Sequence, residues 1–397
     1  WQKGWYTGHR LLQGGNVMKK IIQLFRKDLM LSVSLLAALL SLGITPPSRA
    51  LLSSIDWHTL GMLFMMLTVL EGFKKENIFL PVIRLTSRVG SMAGLSLFLI
   101  FSVFFSSMFV TNDVSLIIFV PLTILLFRSG GKERYILPVI SMENIAAVRG
   151  SMLTPFGSPQ NLFLFGQSGV RVGTFLLHML PLWIFSGILL IFFVLFLYRK
   201  DLRERISFDA EETGGIWLPE RKKFRLLYLA LFVLILYTVV SRTALWGYFT
   251  AVVFFAVLLF DRKILLKTDY VLLLTFLCFF IFSSSISANP TVSAFLMRAV
   301  SGREYWWGIL LSQLISNVPA AIVLYPFTQN LPALLYGVDT AGLCSLIGSL
   351  ASVINYRIYV REYPGQGGSF IKTFTRISLA FFLFVVLPGY LLSAWSM

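Results

Sequence analysis

Two polar motifs interrupt apolar sequence in the first half of the chain. One is Thr111-Asn112-Asp113, within FVTNDV, and the other is TPFGSPQN at residues 154–161. Backbone that leaves the helix inside a membrane must line a protein-enclosed or water-filled site, because lipid offers no partner for its N–H and C=O groups. Helix N-termini at such places attract anions, and carbonyl and hydroxyl oxygens coordinate small cations. The motifs therefore predict an ion-binding site at membrane depth.

A similar pair of motifs occurs in the second half. LISNVP contains Ser316-Asn317 at the second predicted hairpin tip, and LIGSLASVIN contains the second predicted break, an unwound segment from Gly348 to Asn355. Asn112 aligns with Asn317 at an offset of 205 residues, and Asn161 aligns with Asn355 at an offset of 194. Small polar residues can also hold membrane helices together without binding a ligand. Four motifs at matching positions favour a binding site over that structural role.

Asp113 is the most informative single residue of the first motif. Its neighbours Val110 and Val114 are apolar, and a carboxylate in such a membrane segment is costly unless it is paired, protonated or bound to a cation. We therefore expect Asp113 to bind a coupling ion or a proton. The alternative is a structural ion pair or hydrogen bond. The aligned residue of the second half is Val318, so a cation site here would be asymmetric.

Glu143 and Arg149 lie six residues apart in the apolar segment before the first predicted break, the unwound segment 154–159. Ionisable residues within a membrane segment are candidates for a functional role. Two interpretations remain open, since the two side chains could pair with each other or could flank the path of an anion. Arg149 is the candidate partner for the charge of a substrate.

The composition identifies an integral membrane protein. Of the 397 residues, 57% are hydrophobic and 13% are charged, which is far from the balance of a soluble domain. The net charge of +16 comes from basic residues in short loops, as the positive-inside rule predicts, so no nucleic-acid partner is expected. No enzyme motif of an intramembrane hydrolase is present, and no cofactor is expected apart from Na⁺ as a coupling ion.

The charge pattern also predicts topology. The basic clusters can all be cytoplasmic, together with the N-terminus, only if residues 90–127 enter and leave on the same side. Residues 90–127 and 305–328 are therefore predicted to be re-entrant hairpins, which enter from opposite sides. A longer match between the halves aligns Asp56 with Asp269 at an offset of 213 residues. The predicted fold is an all-α polytopic membrane protein with an inverted-topology repeat, two re-entrant hairpins and two broken transmembrane helices.

The chain divides accordingly into six parts. These are a leader or cloning remnant (1–17), an N-terminal transmembrane span (18–55), a first repeat (56–198), a cytoplasmic linker (199–223), connecting transmembrane spans (224–268) and a second, inverted repeat (269–397).

Four ordered motifs resemble the ion transporter superfamily, in its citrate/arsenite-permease and divalent-anion symporter branches. They are TNDVSLIIFVPLTI, ENIAAVRGSMLTPFGSPQNLFLF, SNVPAA and IGSLASVIN. The resemblance implies a homodimer with a scaffold and a mobile transport domain in the cytoplasmic membrane. It also implies elevator-type movement of a small anion, coupled to Na⁺ or H⁺. Sodium-dicarboxylate symporters of this superfamily have Ser-Asn-Thr at both hairpin tips, whereas this chain has Thr-Asn-Asp and Ser-Asn-Val. Three functions therefore remain open. They are transport of a di- or tricarboxylate, transport of arsenite or another inorganic anion, and Na⁺/H⁺ exchange.

The motifs and the resemblance together give the predicted site residues. The substrate-binding residues are Thr111, Asn112, Ser158, Asn161, Ser316, Asn317, Ser349 and Asn355. The coupling-ion residues are Asp113, Thr154, Gly157 and Gly348. Asn112→Ala and Asn317→Ala distinguish a transporter from a membrane hydrolase or from a scaffold that transports nothing. In a transporter both changes should abolish flux and keep the fold.

Overall fold

The computed structural model of the chain describes residues 29–76, 78, 85–86, 89–200, 202 and 224–394, and these residues form helices without a strand among them. The helices of the first half are α1 Leu29–Ile44, α2 Arg49–Ser54, α3 Trp57–Lys75, α4 Met92–Val110, α5 Asn112–Ser129, α6 Ile136–Ser151, α7 Pro159–Ser168 and α8 Val172–Leu197. Those of the second half are α9 Arg225–Ser241, α10 Trp246–Leu265, α11 Tyr270–Ser287, α12 Pro290–Val300, α13 Glu304–Ile315, α14 Asn317–Leu324, α15 Leu331–Ala341, α16 Leu350–Glu362 and α17 Gly367–Leu392. Short 3₁₀ turns occur at Glu133–Tyr135 and Tyr325–Phe327.

Several of these helices are long and apolar enough to cross a membrane. In the described part of the chain they are α4, α5, α8, α11 and α17. Exposed Leu, Ile and Phe side chains cover α8, α9, α10 and α17, as expected of surfaces that face lipid. The prediction of an all-α polytopic membrane protein is confirmed.

Helix pairing is the same in the two halves. The helix before each tip packs against the helix before each break, since α4 contacts α6 and α13 contacts α15. The halves also interlock, because α5 packs against α16 and α14 packs against α7. Each helix that follows a tip therefore lies beside the helix that follows the break of the other half.

The helices α3 and α11 begin with matched N-caps. Asp56 has φ −77° and ψ 79°, and its carboxylate accepts a hydrogen bond from the amide of Thr59. Asp269 has φ −78° and ψ 81°, and its carboxylate accepts from the amide of Leu272. An Asp at this position satisfies one of the free N–H groups of the first helical turn. The local geometry agrees with the alignment of Asp56 with Asp269.

The two predicted hairpins differ in length. The arms of the first, α4 and α5, have 19 and 18 residues, whereas the arms of the second, α13 and α14, have 12 and 8. At 1.5 Å per residue the first pair is roughly as long as the hydrocarbon core is thick, and the second pair is much shorter. The re-entrant topology and its orientation stay predictions, as do the boundaries of the repeats. The predicted leader and most of the linker lie outside the described residues.

Candidate functional site

Each hairpin turns at one residue with the same unusual backbone. Thr111 has φ 69° and ψ 156°, and Ser316 has φ 71° and ψ 159°. This region of backbone space is almost confined to glycine, and other residues there carry a conformational cost of about 1–3 kcal/mol. Both residues are buried. Strain at two equivalent buried positions is typical of a functional site.

The tips present asparagine at the start of a helix. Asn112 and Asn317 are the first residues of α5 and α14, and both are at least 95% buried. The side-chain oxygen of Asn112 accepts a hydrogen bond from the amide of Asp113 at 2.9 Å. The amide of Asn317 donates to the carbonyl of Gly348 in the second break at 3.2 Å.

The breaks are the loops 152–158 and 342–349, between α6 and α7 and between α15 and α16. A Cβ atom added to Gly157 would lie 2.2 Å from the carbonyl oxygen of Ser151, and one added to Gly348 would lie 2.4 Å from that of Ala341. Both contacts are far inside van der Waals distance, so each loop folds back on the end of its helix only where there is no side chain.

The serine after each glycine ends the break. Ser158 and Ser349 are buried, have extended backbone and immediately precede α7 and α16. Neither side chain caps the helix that follows it. The N–H groups of the first turn of each helix therefore lack the usual side-chain partner, and such N-termini favour anions.

Both tips and both breaks meet at one small central cavity. The first residues of four helices line it, namely Asn112 of α5, Pro159 of α7, Asn317 of α14 and Leu350 of α16. Asp113, Gln160 and Ser349 are also part of its wall. The free volume is about 10 Å³, which is room for roughly one water molecule. Any organic substrate must therefore widen this site when it binds.

A wider cavity lies on the other side of Asp113. It has a volume of about 110 Å³ and contains Thr111 and Ser158 as well as three charged side chains from α3 and the start of α11, namely Glu71, Lys74 and Asp269. Lys74 is paired with Glu71. Oδ1 of Asp113 is buried and has no hydrogen-bond partner among the described residues. Asp113 thus stands between the central cavity and a charged one.

The side chains of the remaining predicted residues donate hydrogen bonds to backbone carbonyl groups. The hydroxyl of Thr154 donates to the carbonyl of Met108, which ties the first break to the first hairpin. Asn161 lies inside α7 and its amide donates to the carbonyl of Met152 at 3.3 Å. Asn355 lies inside α16 and its amide donates to the carbonyl of Ile140 at 2.7 Å.

The boundary of the second break was predicted wrongly. The sequence motif placed unwound chain from Gly348 to Asn355, whereas α16 already begins at Leu350 and the irregular loop precedes it at 342–349. Leucine and alanine directly after Ser349 are good helix formers, so the helix can begin there. The close approach to the carbonyl oxygen of Ala341 is made by Gly348, before the helix begins.

Glu143 and Arg149 have different partners. Glu143 is fully buried and accepts a hydrogen bond from Thr123. Arg149 is fully buried and donates to the hydroxyl of Ser186 at 3.0 Å and to the carbonyl of Asp339 at 3.3 Å. Neither residue lines the central cavity. Glu143 and Arg149 therefore do not pair with each other, which was one of the two interpretations of the sequence.

Asp339 and Gln160 were not predicted from the sequence. The side-chain amide of Gln160 donates to Oδ1 of Asp339 at 3.0 Å, and both residues are buried. Gln160 belongs to the helix after the first break and Asp339 to the helix before the second, so this bond joins the halves directly behind the central cavity. A lone carboxylate in the apolar sequence LLYGVDTAGL is the signal that could have indicated Asp339.

The chain is similar in sequence to known membrane and transporter proteins. A family model described as "Citrate transporter" matches residues 19–348. The chain is 31% identical over 312 residues to "Inner membrane protein YbiR" of Escherichia coli (strain K12), which covers 77% of this chain and 81% of that relative. It is also 31% identical over 313 residues, with the same coverage of both chains, to "Uncharacterized transporter MJ0456" of Methanocaldococcus jannaschii.

Proposed function

This chain belongs to the citrate transporter family, and from that membership we propose that it is a secondary active transporter that moves a small anion across the cytoplasmic membrane. The observation that carries the proposal is the convergence of both asparagine tips and the starts of two further helices on one buried cavity. Four helix N-termini at one point favour a negatively charged ligand.

The substrate class is a di- or tricarboxylate, as the family description suggests. Asn112, Asn317 and Ser349 supply side-chain donors next to the helix N-termini. The third residue of each tip is Asp113 or Val318, and neither offers the hydroxyl of the dicarboxylate symporters. An inorganic anion such as arsenite is therefore the alternative substrate.

Asp113 supports a role for a cation. Its carboxylate borders the central cavity, and one oxygen has no hydrogen-bond partner in the described part of the chain. A carboxylate in such a place is stabilised when it binds Na⁺ or a proton. We propose Asp113 as the coupling-ion residue, and the same observation favours Na⁺/H⁺ exchange as a second candidate function.

The movement that we propose is of the elevator type. The interlocked bundle of tips and breaks would move as one body against α3, α9 and α10, within a homodimer whose N-termini are cytoplasmic. The matched backbone angles at Thr111 and Ser316 support an inverted-topology repeat, in which the two halves carry equivalent helices in opposite directions.

The test is ligand-dependent stability followed by uptake. The melting temperature of the purified protein is measured with citrate, succinate, sulfate, phosphate or arsenite, each with Na⁺ or with choline, because a ligand that binds only the folded state raises it. A carboxylate shift that requires Na⁺ supports sodium-coupled carboxylate transport. A shift with Na⁺ alone and no anion effect would support the cation exchanger. Uptake of the stabilising anion into proteoliposomes then tests transport.

A further inference from the structure

A third cavity lies at the opposite end of α3 from the Lys74–Glu71 pair. Its volume is about 250 Å³, larger than that of the central cavity or of the cavity beside Asp113. Its wall comes from the start of α3, from α7 and from the connection between α9 and α10. Its lining includes His58, Met62, Leu162, Phe165, Arg242 and Trp246.

Arg242 is the cation of this cavity. Its Nη2 donates to the carbonyl of Phe165 at 2.6 Å and to the hydroxyl of Ser168 at 3.3 Å, and its guanidinium carbon lies 4.1 Å from the centre of the Phe165 ring. All of these partners are uncharged. The buried Nε has no hydrogen-bond partner among the described residues, and none of their carboxylates forms an ion pair with Arg242.

The basic residues at the other end of α3 differ in this respect. Lys74 is paired with Glu71 and Lys75 with Asp261, so both lysines at the far end of α3 are neutralised within the protein. Arg242 lines a cavity and has no such ion pair with a described carboxylate. Arg242 is also the residue that ends α9, with the left-handed backbone (φ 47°, ψ 37°) that is common at helix C-termini.

The rest of the wall is apolar and aromatic. Trp246 lies edge to face with the ring of His58, with the centroids 5.7 Å apart, and it packs on Gly61, where an added Cβ would lie 2.8 Å from the indole. Met62 and Leu162 complete the apolar side. An apolar pocket with one fixed cation suits a ligand with a hydrocarbon body and a single anionic end. A bare inorganic anion would leave most of this wall without a partner.

We propose that this cavity is a second binding site, separate from the central one, for an organic monocarboxylate of about the size of benzoate. The carboxylate lies against the guanidinium of Arg242, and the hydrocarbon body lies between Trp246 and Leu162. This site does not require that the chain transports an anion, so it can be tested apart from the proposed function.

The site has a consequence for α7. Arg242 holds α7 through the Phe165 carbonyl and Ser168, and Gln167 of the same helix donates to the carboxylate of Asp56 at 2.9 Å. A carboxylate on Arg242 competes with the contacts to α7. Ligand binding should therefore alter the contact between α7, which follows the first break, and the α3–α10 side of the molecule.

The experiment is calorimetric titration of the full chain in detergent with benzoate, with acetate and sulfate as anions that lack the hydrocarbon body. We expect saturable benzoate binding that Arg242→Gln weakens at least about tenfold, since a charge-assisted hydrogen bond is lost. Met62→Trp, which fills the cavity and leaves Arg242 in place, should weaken it as well. Arg298→Gln, a change of an exposed arginine elsewhere, should have no effect.

Asn112→Ala separates this site from the central one. If it leaves benzoate binding unchanged while Arg242→Gln removes it, the second site is supported whatever the transport assay shows. Benzoate binding that is lost in Asn112→Ala and kept in Arg242→Gln would assign the ligand to the central cavity and overturn the proposal. Absence of saturable binding to the folded wild-type protein would overturn it too, and equally weak binding of benzoate and acetate would contradict the role of the apolar wall.

Discussion

The two hairpin tips share their backbone and differ in their charge. Thr111 and Ser316 have almost the same φ and ψ, and each is followed by an asparagine that starts a helix at the central cavity. The next residue is Asp113 in the first tip and Val318 in the second. The features that suit an anion are thus present twice, whereas the feature that suits a cation is present once. Substrate binding should depend on both tips, and the carboxylate contribution to ion coupling should come from the first tip alone.

The largest effect on uptake is expected from the asparagine that both tips contain. Asn112→Ala and Asn317→Ala each remove a side-chain donor from the central cavity. A hydrogen bond to a charged group contributes about 1.5–3 kcal/mol, so each change should reduce uptake into proteoliposomes by at least about tenfold. Melting temperatures of the variants provide the control for folding. If one variant loses uptake and the other keeps it, the two tips are not equivalent and the symmetric site is wrong.

The second test concerns the difference between the tips. Asp113→Asn keeps the shape of the side chain and removes its charge, so the dependence of uptake and of the anion-induced rise in melting temperature on Na⁺ or on pH should disappear. Val318→Asn is the matched variant at the second tip and should leave the ion dependence as it is. Uptake is measured with and without Na⁺ and across a pH series. Unchanged ion dependence in Asp113→Asn would move the coupling site elsewhere.

The sequence predicts the tips and breaks of the site better than it predicts the contacts between the two halves. The tips and breaks were predictable because proline, glycine, asparagine and aspartate are unusual in apolar sequence. The bond between Gln160 and Asp339 was not, since it joins residues 179 apart on different halves. The partners of Arg149 were missed for the same reason. A motif shows where a helix is interrupted, but the pairing across the halves follows from packing.

A third test asks whether both breaks need a close backbone approach. Gly157→Ala and Gly348→Ala would each place a Cβ less than 2.5 Å from a backbone carbonyl oxygen. Overpacking of this kind costs typically about 1–3 kcal/mol, so each variant should melt at a lower temperature. Gly173→Ala is the control, because a Cβ there meets nothing within 4 Å. An unaffected Gly348→Ala, beside a destabilised Gly157→Ala, would show that the second break adapts more easily than the first.

The smallest effect is expected from the strain at the turns. Glycine adopts φ near 70° freely, so Thr111→Gly and Ser316→Gly should relieve about 1–3 kcal/mol of strain each. The greater freedom of glycine in the unfolded chain opposes this by about 0.5–1 kcal/mol, and a small rise in melting temperature remains. Ser129→Gly, at the half-buried C-terminal end of α5, has no positive-φ strain to relieve and should lower the melting temperature slightly.

Uptake by these glycine variants then distinguishes a role of the backbone shape in transport from a role of the side-chain hydroxyl. The two hydroxyls are lost together with the strain, so a variant that is more stable and still transports assigns the tip to backbone shape alone. A variant that is more stable and transports poorly assigns the hydroxyl to the ligand or to the coupling ion. Equal results at Thr111 and Ser316 would extend the equivalence of the tips from the backbone to the chemistry. Poor transport by Thr111→Gly alone would place the hydroxyl of Thr111 with Asp113, because these two residues line the same charged cavity.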